Sequence, residues 1–178
     1  KDSYAAKKNR VVSLNGIGNI SLRTGDMQTA DSVFRAALRG EAELGSALGQ
    51  AINYANLGAI FDSNDQIDSA WVYYTKSLEM NTKANSDLGK SLCYGYFGGL
   101  YEKEGKYDDA IKEYEKAYFM EGKIDDWHWL NSCLALARIY IYREREALVY
   151  VISWEYYYCS MRQVEYILQN QMSELHLA

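Results

Sequence analysis

Small and aromatic residues recur with helical spacing between residues 98 and 117. Gly98 and Tyr101 lie three residues apart, which places them on one face of a helix, and a glycine four residues later interrupts the pattern. Three further positions follow at spacings of four and three, as one stripe on a second helix: Ala110, Tyr114 and Ala117. The pattern predicts a helical hairpin with small residues where its two helices approach each other.

The same pattern recurs at a fixed interval of 40 residues. Subtracting that interval gives a second copy with Gly58, Phe61, Ala70, Tyr74 and Ser77. Subtracting it again gives a first copy with Gly18, Gly25, Ala30, Phe34 and Ala37. Copies at one period are typical of repeat architectures, in which each hairpin buries its apolar face against its neighbours.

The copies resemble the tetratricopeptide repeat, whose first helix carries an aromatic residue, a Leu-Gly pair and a second aromatic residue. Two stretches show this spacing: Tyr54-x-x-Leu57-Gly58-x-x-Phe61 and Tyr94-x-x-Phe97-Gly98-x-x-Tyr101. The chain departs from the family in its period, which is about 34 residues in the family, and in having no proline. Each helix is therefore expected to be longer by most of a turn. This longer variant is similar to the repeats of kinesin light chains, asymmetric-division adaptors and bacterial peptide-sensing regulators.

The resemblance implies an all-α, right-handed α-solenoid of about four hairpins, in a single domain spanning 1–178. The expected repeats are approximately 11–50, 51–90, 91–130 and 131–158, followed by a C-terminal helix at 160–175. The fourth repeat is degenerate, because Leu136-Ala137-Arg138-Ile139-Tyr140 replaces the Leu-Gly-x-x-Tyr motif with its register shifted by one. The C-terminal helix is expected to cap the solenoid. The alternatives are the first helix of a truncated fifth repeat and a dimer surface.

Charge and hydropathy narrow the possible functions. The net charge is −5 and the lysines and arginines are scattered, so the basic stripe of a nucleic-acid-binding protein is missing and no such partner is expected. No apolar run approaches the ~20 residues needed to cross a bilayer, so no membrane insertion is expected. The chain begins at Lys1 without an initiator methionine or a signal peptide, which suggests a processed protein or a piece of a longer one. The compartment stays open.

Turn residues recur with the same period as the apolar stripes. Gly25-Asp26, Gly45-Ser46 and Asn85-Ser86 each combine a residue suited to a helix end with a good N-cap. In the second repeat Asn64-Asp65 replaces the glycine, and Asn64 is expected to take the left-handed conformation. The predicted packing face of the first helix comprises Ala5, Ala6, Val11, Leu14, Ile17 and Gly18.

The three cysteines, Cys93, Cys133 and Cys159, do not indicate a disulfide framework. Cys93 and Cys133 occupy the same repeat column, so they are expected on parallel first helices. Packed helices have axes about 8–10 Å apart, and a disulfide allows a Cα separation of only ~7 Å. Both cysteines are therefore predicted to be buried small apolar residues without a bridge.

The chain carries no recognisable catalytic or cofactor-binding motif. An enzyme needs a nucleophile with a base, paired carboxylates or a metal cluster, and the histidines are His128 and His176. Asp126 and His128 are two residues apart and therefore do not share a helix face. Gly16 and Gly18 lie inside a predicted helix rather than in a phosphate-binding loop. We therefore expect no catalytic residues, no metal site and no cofactor.

The resemblance places the binding surface on the concave face formed by the first helices. Asparagine side chains there can hold a peptide backbone because their amides both donate and accept hydrogen bonds. Small residues in the middle repeats leave the predicted floor bare. The candidate partner-binding residues are Asn15, Asn19, Arg23, Asn56, Ala59, Asp62, Gly95, Gly99, Glu102 and Lys103. The alternatives are that the asparagines only solvate the surface and that the glycines allow first helices to pack closely.

These features predict a non-catalytic scaffold that binds a peptide or protein. One subclass of the family grips a C-terminal carboxylate with a basic pair, but Leu92 and Tyr96 occupy those places here, so that mode is not expected. The resemblance to bacterial regulators favours a sensory or regulatory module of a larger signalling or transcription-regulator protein. The alternatives are a free-standing assembly adaptor and an accessory domain of an enzyme whose catalytic part lies elsewhere. The C-terminal helix offers a possible homodimer contact.

Overall fold

The computed structural model describes residues 3–121 and 126–142, and every regular element in these ranges is a helix. The helices are α1 (Tyr4–Thr24), α2 (Met27–Glu43), α3 (Ala47–Ser63), α4 (Ile67–Lys83), α5 (Asp87–Lys103), α6 (Tyr107–Glu121) and α7 (Asp126–Tyr142). Each helix packs against the next along the chain, and α3 also contacts α5. The fold is an all-α helical-repeat solenoid. The second helix expected in the fourth repeat and the C-terminal helix expected at 160–175 lie outside the described residues.

The first residues of helices α2 to α6 are 20 residues apart, which is half of the predicted repeat. Helices α2 to α5 are each 17 residues long. A residue with positive φ follows each of the first five helices: Gly25 at 82°, Gly45 at 69°, Asp65 at 55°, Asn85 at 52° and Gly105 at 73°. Backbone bonds such as Ser46 N to Glu41 O, at 3.0 Å, close the helix ends. This is the left-handed helix ending that glycine favours most.

The left-handed residue of the second repeat is Asp65, so the prediction for Asn64 was wrong. Asn64 has a φ of −95°, whereas Asp65 occupies the repeat column of Gly25 and Gly105. Aspartate tolerates this conformation because its short polar side chain can bond locally to the backbone. The repeat column is therefore a better guide here than the preference of one residue type.

Side chains close the helix starts at the predicted cap positions. The bonds run from Thr29 N to Asp26 Oδ1 at 3.1 Å, from Gly49 N to Ser46 Oγ at 3.0 Å, and from Gly89 N to Ser86 Oγ at 3.1 Å. Each bond satisfies a backbone donor that the helix itself leaves free, and each is typically worth about 1 kcal/mol. Capping and turn chemistry thus repeat together with the core.

The inner contact of each hairpin is a glycine on one helix against an aromatic ring on the next. A Cβ atom added at Gly58 would lie 2.5 Å from a ring carbon of Tyr74, and one added at Gly98 would lie 2.7 Å from Tyr114. Gly18 has the same relation to its aromatic partner in the first hairpin. These distances leave no room for a side chain, so the predicted placement of the glycines at helix contacts is confirmed.

Helix α1 packs on α2 through Val11 and Gly18, which are both buried. The prediction that Ala5, Ala6 and Ile17 share this face was wrong, because Ala5 and Ala6 are exposed and Ile17 is 48% exposed. One residue step turns a helix by about 100°. With Gly18 held against the ring of Phe34, Ile17 therefore points away from α2.

Helix α7 packs on α6. Leu136, Ile139 and Tyr140 are buried in one cluster with residues of α6. Cys93 and Cys133 are free and buried, as predicted. Burial also raises the pKa of the Cys93 thiol. This thiol is therefore a poor nucleophile and serves as a packing residue.

Candidate partner-binding site

A cleft of about 370 Å³ opens between α3 and α5, with α4 as its floor. We call it the α3–α5 cleft, and we call the solvent-facing side of α1, α3, α5 and α7 the first-helix face. Leu48 and Ile52 on α3 and Leu92 and Tyr96 on α5 supply apolar walls. Leu48 and Ile52 are 47% and 50% exposed. Apolar surface around a concave site of this kind is suited to an apolar side chain of a ligand.

Polar groups at the floor of the α3–α5 cleft satisfy one another. Ser77 Oγ donates to Ala51 O at 2.9 Å, and Asn81 Nδ2 donates to Gly89 O at 3.2 Å. Cys93 Sγ lies 3.4 Å from Ser77 Oγ. Because these groups already have partners, the floor offers little to a polar ligand and the cleft favours an apolar one.

Tyr96 links the wall of the cleft to the core. Its ring stacks on that of Tyr74, with centroids 4.6 Å apart and planes inclined by 19°. Burial raises the pKa of both hydroxyls, and at Tyr74 the nearby Asp62 carboxylate adds to the effect. Tyr74 in turn lies against Gly58. The position of the cleft wall thus depends on the glycine contact inside the hairpin.

The predicted polar residues are spread along the first-helix face. Asn56 lines the α3–α5 cleft. Asn19 and Arg23 are exposed on α1, one turn apart. Asn15 is half-buried on the same helix, and its Oδ1 atom is buried without a hydrogen-bond partner. The structure therefore gathers Asn56 with apolar residues, while the polar residues of α1 lie one repeat away.

The glycines of α5 are not all required for packing. A Cβ atom added at Gly95 would meet no atom within 4 Å outside its own stretch of helix. One added at Gly99 would lie 3.7 Å from Tyr114 Oη, an ordinary contact. Ala59 stands in the column of Gly99 and is half-buried. Close packing between helices, one of the two explanations for these glycines, is therefore excluded at Gly95.

Asp62 and Glu102 hold the repeats together. Each accepts a hydrogen bond from a tyrosine of its own hairpin: Tyr74 Oη at 3.4 Å from Asp62 and Tyr114 Oη at 3.0 Å from Glu102. Each also pairs with a cation on the next first helix: Lys103 at 2.7 Å from Asp62 and Arg138 at 2.6 Å from Glu102. Of the predicted binding residues, Asp62 and Lys103 thus contact each other across repeats, and Glu102 contacts Arg138 of the next first helix.

The first repeat lacks both the acidic residue and the tyrosine of this arrangement. Leu22 stands in the column of Asp62 and Glu102, and Phe34, which has no hydroxyl, stands in the column of the two tyrosines. Leu22 packs against the cluster that contains Phe34. The acidic residue and the tyrosine hydroxyl occur together in the second and third repeats, and both are absent from the first. This covariation within one chain is the sequence signal for the hydrogen bond between the acidic residue and the tyrosine of each hairpin.

Leu48, Ser77 and Asn81 belong to the α3–α5 cleft and were not predicted to do so. Ser77 interrupts a column that holds alanine in the first and third repeats. Its hydroxyl at a position that is 1% exposed was therefore a visible signal for a polar floor. Asn81 follows Ser77 by one helical turn and carried the same information.

Within residues 3–121 and 126–142, no group of three His, Cys, Asp or Glu side chains is arranged to hold a metal ion. In the same part of the chain, none of the helices combines the length and apolar content of a membrane span. The motif at 125–129 that contains His128 has no described side chains. The described surface therefore offers a cleft without a built metal centre.

A family model of the tetratricopeptide repeat matches residues 94–119. These residues include most of α5, the turn that contains Gly105 and most of α6. Residues 94–119 therefore match one tetratricopeptide repeat. Its other hairpins share the 40-residue period and the glycine–aromatic contact, so the solenoid has the tetratricopeptide-repeat architecture. Proteins of this fold typically act as scaffolds for protein partners.

Solved structures share this tetratricopeptide-repeat fold. BtubC (BKLC) from P. vanneervenii has a TM-score of 0.73 and 19% identity, with 92% of this chain and 66% of BtubC covered. The apo form of RapI has a TM-score of 0.79 and 11% identity, with coverages of 93% and 59%. Kinesin light chain repeats from Podosopora anserina have a TM-score of 0.64 and 15% identity, with coverages of 80% and 71%.

These likenesses establish the fold alone, because every identity is low. The chain spans 66% of the length of BtubC and 59% of that of RapI. Comparison with curated protein sequences finds no match. Any ligand or partner must therefore be inferred from the first-helix face of this chain.

Proposed function

We propose that this tetratricopeptide-repeat domain binds an extended segment of a partner protein along its first-helix face. An apolar side chain of that segment occupies the α3–α5 cleft. The observation that carries the proposal is this cleft of about 370 Å³, whose wall residue Ile52 is 50% exposed. Its floor is already satisfied by internal hydrogen bonds. Binding of an apolar side chain there is favourable, because it removes the apolar walls from water and breaks no hydrogen bond at the floor.

Gly95 supports a binding role for the neighbouring surface. A glycine inside a helix costs about 1 kcal/mol relative to alanine, and no helix contact at Gly95 requires the absence of a side chain. We infer that Gly95 keeps a depression open for the partner. Gly99 and Ala59, which are also small, extend the depression along α5 and α3.

The polar candidates have two kinds of role in this proposal. Asn19, Arg23 and Asn56 hold the backbone or an acidic group of the partner, since amides and guanidinium groups donate readily. Asp62, Glu102 and Lys103 set the charge preference at one end of the groove while they also join the repeats. Their pairing between repeats limits how freely these three side chains can reorient towards a partner.

The domain is proposed to be non-catalytic and to serve as a sensory or regulatory module of a larger bacterial signalling protein. The resemblance of the repeats to those of bacterial peptide-sensing regulators supports this role. A free-standing assembly adaptor and an accessory domain of an enzyme are the alternatives. The reading frame around this chain distinguishes them, because a downstream kinase, DNA-binding or membrane segment selects the sensory role.

A selection from a random dodecapeptide display library tests the proposed binding site. Enriched peptides are expected to carry an apolar residue and to bind the parent protein. Ile52→Asp and Leu92→Asp should each weaken that binding by about 1–3 kcal/mol, because a charge would enter the apolar cleft. Val72 on α4 is exposed to a similar extent, at 52%, and does not line the cleft. Val72→Asp is therefore the matched control, which should bind like the parent.

Two further variants probe the depression and the polar rim. Gly95→Leu and Asn19→Ala should each weaken peptide binding by at least about 1 kcal/mol, the scale of a blocked contact or a lost hydrogen bond. Asn19→Ala should melt like the parent because its side chain is exposed. A library without enriched peptides, or enriched peptides that bind Ile52→Asp unchanged, would rule out the cleft as the binding site.

A further inference from the structure

The repeat maps the α3–α5 cleft onto a second set of positions one repeat earlier. Shifting its lining residues back by 40 places Asn15 where Ala55 stands, Glu41 where Asn81 stands and Asn53 where Cys93 stands. These positions lie between α1 and α3 over α2. We call Asn15, Glu41 and Asn53 together the α1–α3 site.

Contacts with Gly49 and Gly40 position the three residues of this site. The Glu41 carboxylate lies over Gly49, in the space that a Cβ atom there would fill. Asn53 Nδ2 donates to the carbonyl oxygen of the same glycine at 2.9 Å. On α1, Val11 packs on Gly40, the residue before Glu41. Asn15 follows Val11 by one turn on that helix.

Two buried side-chain oxygen atoms at the α1–α3 site accept no hydrogen bond. Within the part of the chain that the structure describes, three buried side-chain oxygens lack a hydrogen bond: Asn15 Oδ1, Asn53 Oδ1 and Asp62 Oδ1. Asp62 Oδ1 nevertheless lies 2.7 Å from the Lys103 ammonium. The two asparagine oxygens are therefore the ones left without any polar partner, and both belong to the α1–α3 site.

A hydrogen bond fixes the orientation of the Asn53 side-chain amide. Asn53 is fully buried, and its Nδ2 must face Gly49 O because only the nitrogen can donate to a carbonyl. Its Oδ1 is thus fixed as the unpartnered atom. In the next repeat Ser77 supplies a hydroxyl beside the equivalent Cys93. Here Ala37 stands in the place of Ser77 and supplies none.

Glu41 adds a negative charge to these acceptors. Among the described residues, no cation pairs with its carboxylate, whereas Glu43 two residues later is paired with Lys7 at 2.7 Å. The α1–α3 site therefore combines three acceptor groups, one of them charged, to which no donor among the described residues is bonded. The complementary group is a cation with several N–H donors, which is the chemistry of an arginine or lysine side chain.

We infer that the α1–α3 site is a subsite for a basic side chain of the partner. This inference rests on the proposed function for the partner that carries the side chain. Neighbouring packed helices lie about 8–10 Å apart, and an extended chain advances about 3.3 Å per residue. Because the two sites are a full repeat apart, this spacing is a lower bound, and the basic residue and the apolar residue in the α3–α5 cleft are separated by at least about three positions of one extended segment.

A small-molecule titration tests the subsite without any peptide. Propylguanidinium chloride is added to the isotope-labelled protein, and the side-chain amide resonances of Asn15 and Asn53 are followed by NMR. Both resonances should shift and saturate, and propylurea, which lacks the charge, should bind at least about fivefold more weakly. Glu41→Gln should weaken propylguanidinium binding by a similar factor. Glu41→Asn, which copies the Asn81–Gly89 arrangement, is a second variant with the same expectation.

Several outcomes overturn the inference. They are unmoved asparagine resonances, equal responses to propylguanidinium and propylurea, and unchanged affinity in Glu41→Gln. Lys8 occupies the position equivalent to Leu48 and is exposed, and as a cation it contributes no acceptor to the site. Lys8→Met should therefore bind the probe at least as tightly as the parent, and a large loss of affinity in Lys8→Met would also contradict the inference.

Parallel peptide selections separate this inference from the proposed function. The parent protein should enrich peptides with a basic residue at least about three positions from an apolar one. Glu41→Gln should keep the apolar preference and lose the basic one. A basic preference that persists in Glu41→Gln overturns the subsite and leaves the proposed function intact. Absence of any enriched peptide, with propylguanidinium still bound, overturns the proposed function and leaves the subsite intact.

Discussion

The α3–α5 cleft and the α1–α3 site lie one repeat apart on either side of α3, and they differ in how their polar groups are satisfied. Over α4, Ser77 and Asn81 are bonded to backbone carbonyls. Over α2, alanine and glutamate stand in those two places, and Asn53 Oδ1 has no partner. The repeat sets the backbone of both regions. Side chains at a few repeat positions then determine whether the polar groups of a region are satisfied within the chain or need a hydrogen-bond donor from a ligand.

The largest expected effect comes from replacing three residues of the α3–α5 cleft with their equivalents from the α1–α3 site. The triple variant Ser77→Ala, Asn81→Glu, Cys93→Asn removes the floor network and introduces a buried amide without its partner. We expect a loss of about 2–4 kcal/mol in the free energy of unfolding, since each lost bond costs about 1 kcal/mol and an orphaned buried group more. Urea denaturation measures it. Stability equal to that of the parent would show that the network does not distinguish the two regions.

The next effect concerns the glycine contacts on which the α3–α5 cleft depends. Gly58→Leu and Gly98→Leu should each cost about 1–3 kcal/mol, because the new side chain would displace a buried tyrosine ring. Gly95→Leu is the matched control on α5. Its side chain would enter open space, so thermal unfolding should leave it close to the parent. If Gly98→Leu and Gly95→Leu melted together, the assignment of inner and outer faces would be wrong.

Alkaline pH should weaken the half of the solenoid that contains the α3–α5 cleft. Tyr74 has its pKa raised above the ordinary value of 10.0, so the unfolded chain loses this proton first. The contribution to stability is complete below about pH 10 and is lost as pH rises above it. Phe34 stands in the equivalent place of the first repeat and does not titrate.

Tyr74→Phe tests this difference by chemical denaturation between about pH 9 and pH 11. The variant should lose about 1 kcal/mol less stability over that interval than the parent, because one ionising group has been removed. Tyr4, which is 67% exposed, provides the control, and Tyr4→Phe should follow the parent curve. Identical pH profiles for Tyr74→Phe and the parent would mean that Tyr74 titrates alike in both states.

The smallest effect is the reverse exchange in the α1–α3 site. The triple variant Ala37→Ser, Glu41→Asn, Asn53→Cys copies the satisfied floor of the next repeat. It should gain about 0.5–1 kcal/mol, because an unpartnered buried oxygen is removed and hydrogen bonds are added. Urea denaturation measures this gain, and the propylguanidinium titration should show that the cation site has been lost. A destabilised variant would contradict the proposed equivalence of the two regions.

The sequence was sufficient to predict the repeat, because glycine, alanine and aromatic columns follow directly from how closely two helices must approach. Turn positions also followed from the period, although the residue with positive φ was assigned to Asn64 instead of Asp65. Ala5, Ala6 and Ile17 were misplaced because an apolar side chain on a surface helix need not be buried. These errors concern single residues within a correctly predicted element.

The candidate site was less predictable, because its properties depend on contacts between repeats. Asp62 and Glu102 read as surface charges in the sequence, and only their pairing with Lys103 and Arg138 shows their inter-repeat role. The free oxygen of Asn53 depends on a missing hydroxyl at Ala37, which lies on another helix. No spacing rule within one helix reports such an absence.

The central claim is that the first-helix face binds a partner segment with an apolar side chain in the α3–α5 cleft. A crystal structure of the domain with its most enriched dodecapeptide tests this directly. We predict an apolar side chain of the peptide between Ile52 and Leu92, and the peptide backbone within hydrogen-bonding reach of Asn56. A peptide bound on the opposite side of the solenoid, against the exposed Val72 of α4, with the cleft empty, would contradict the account.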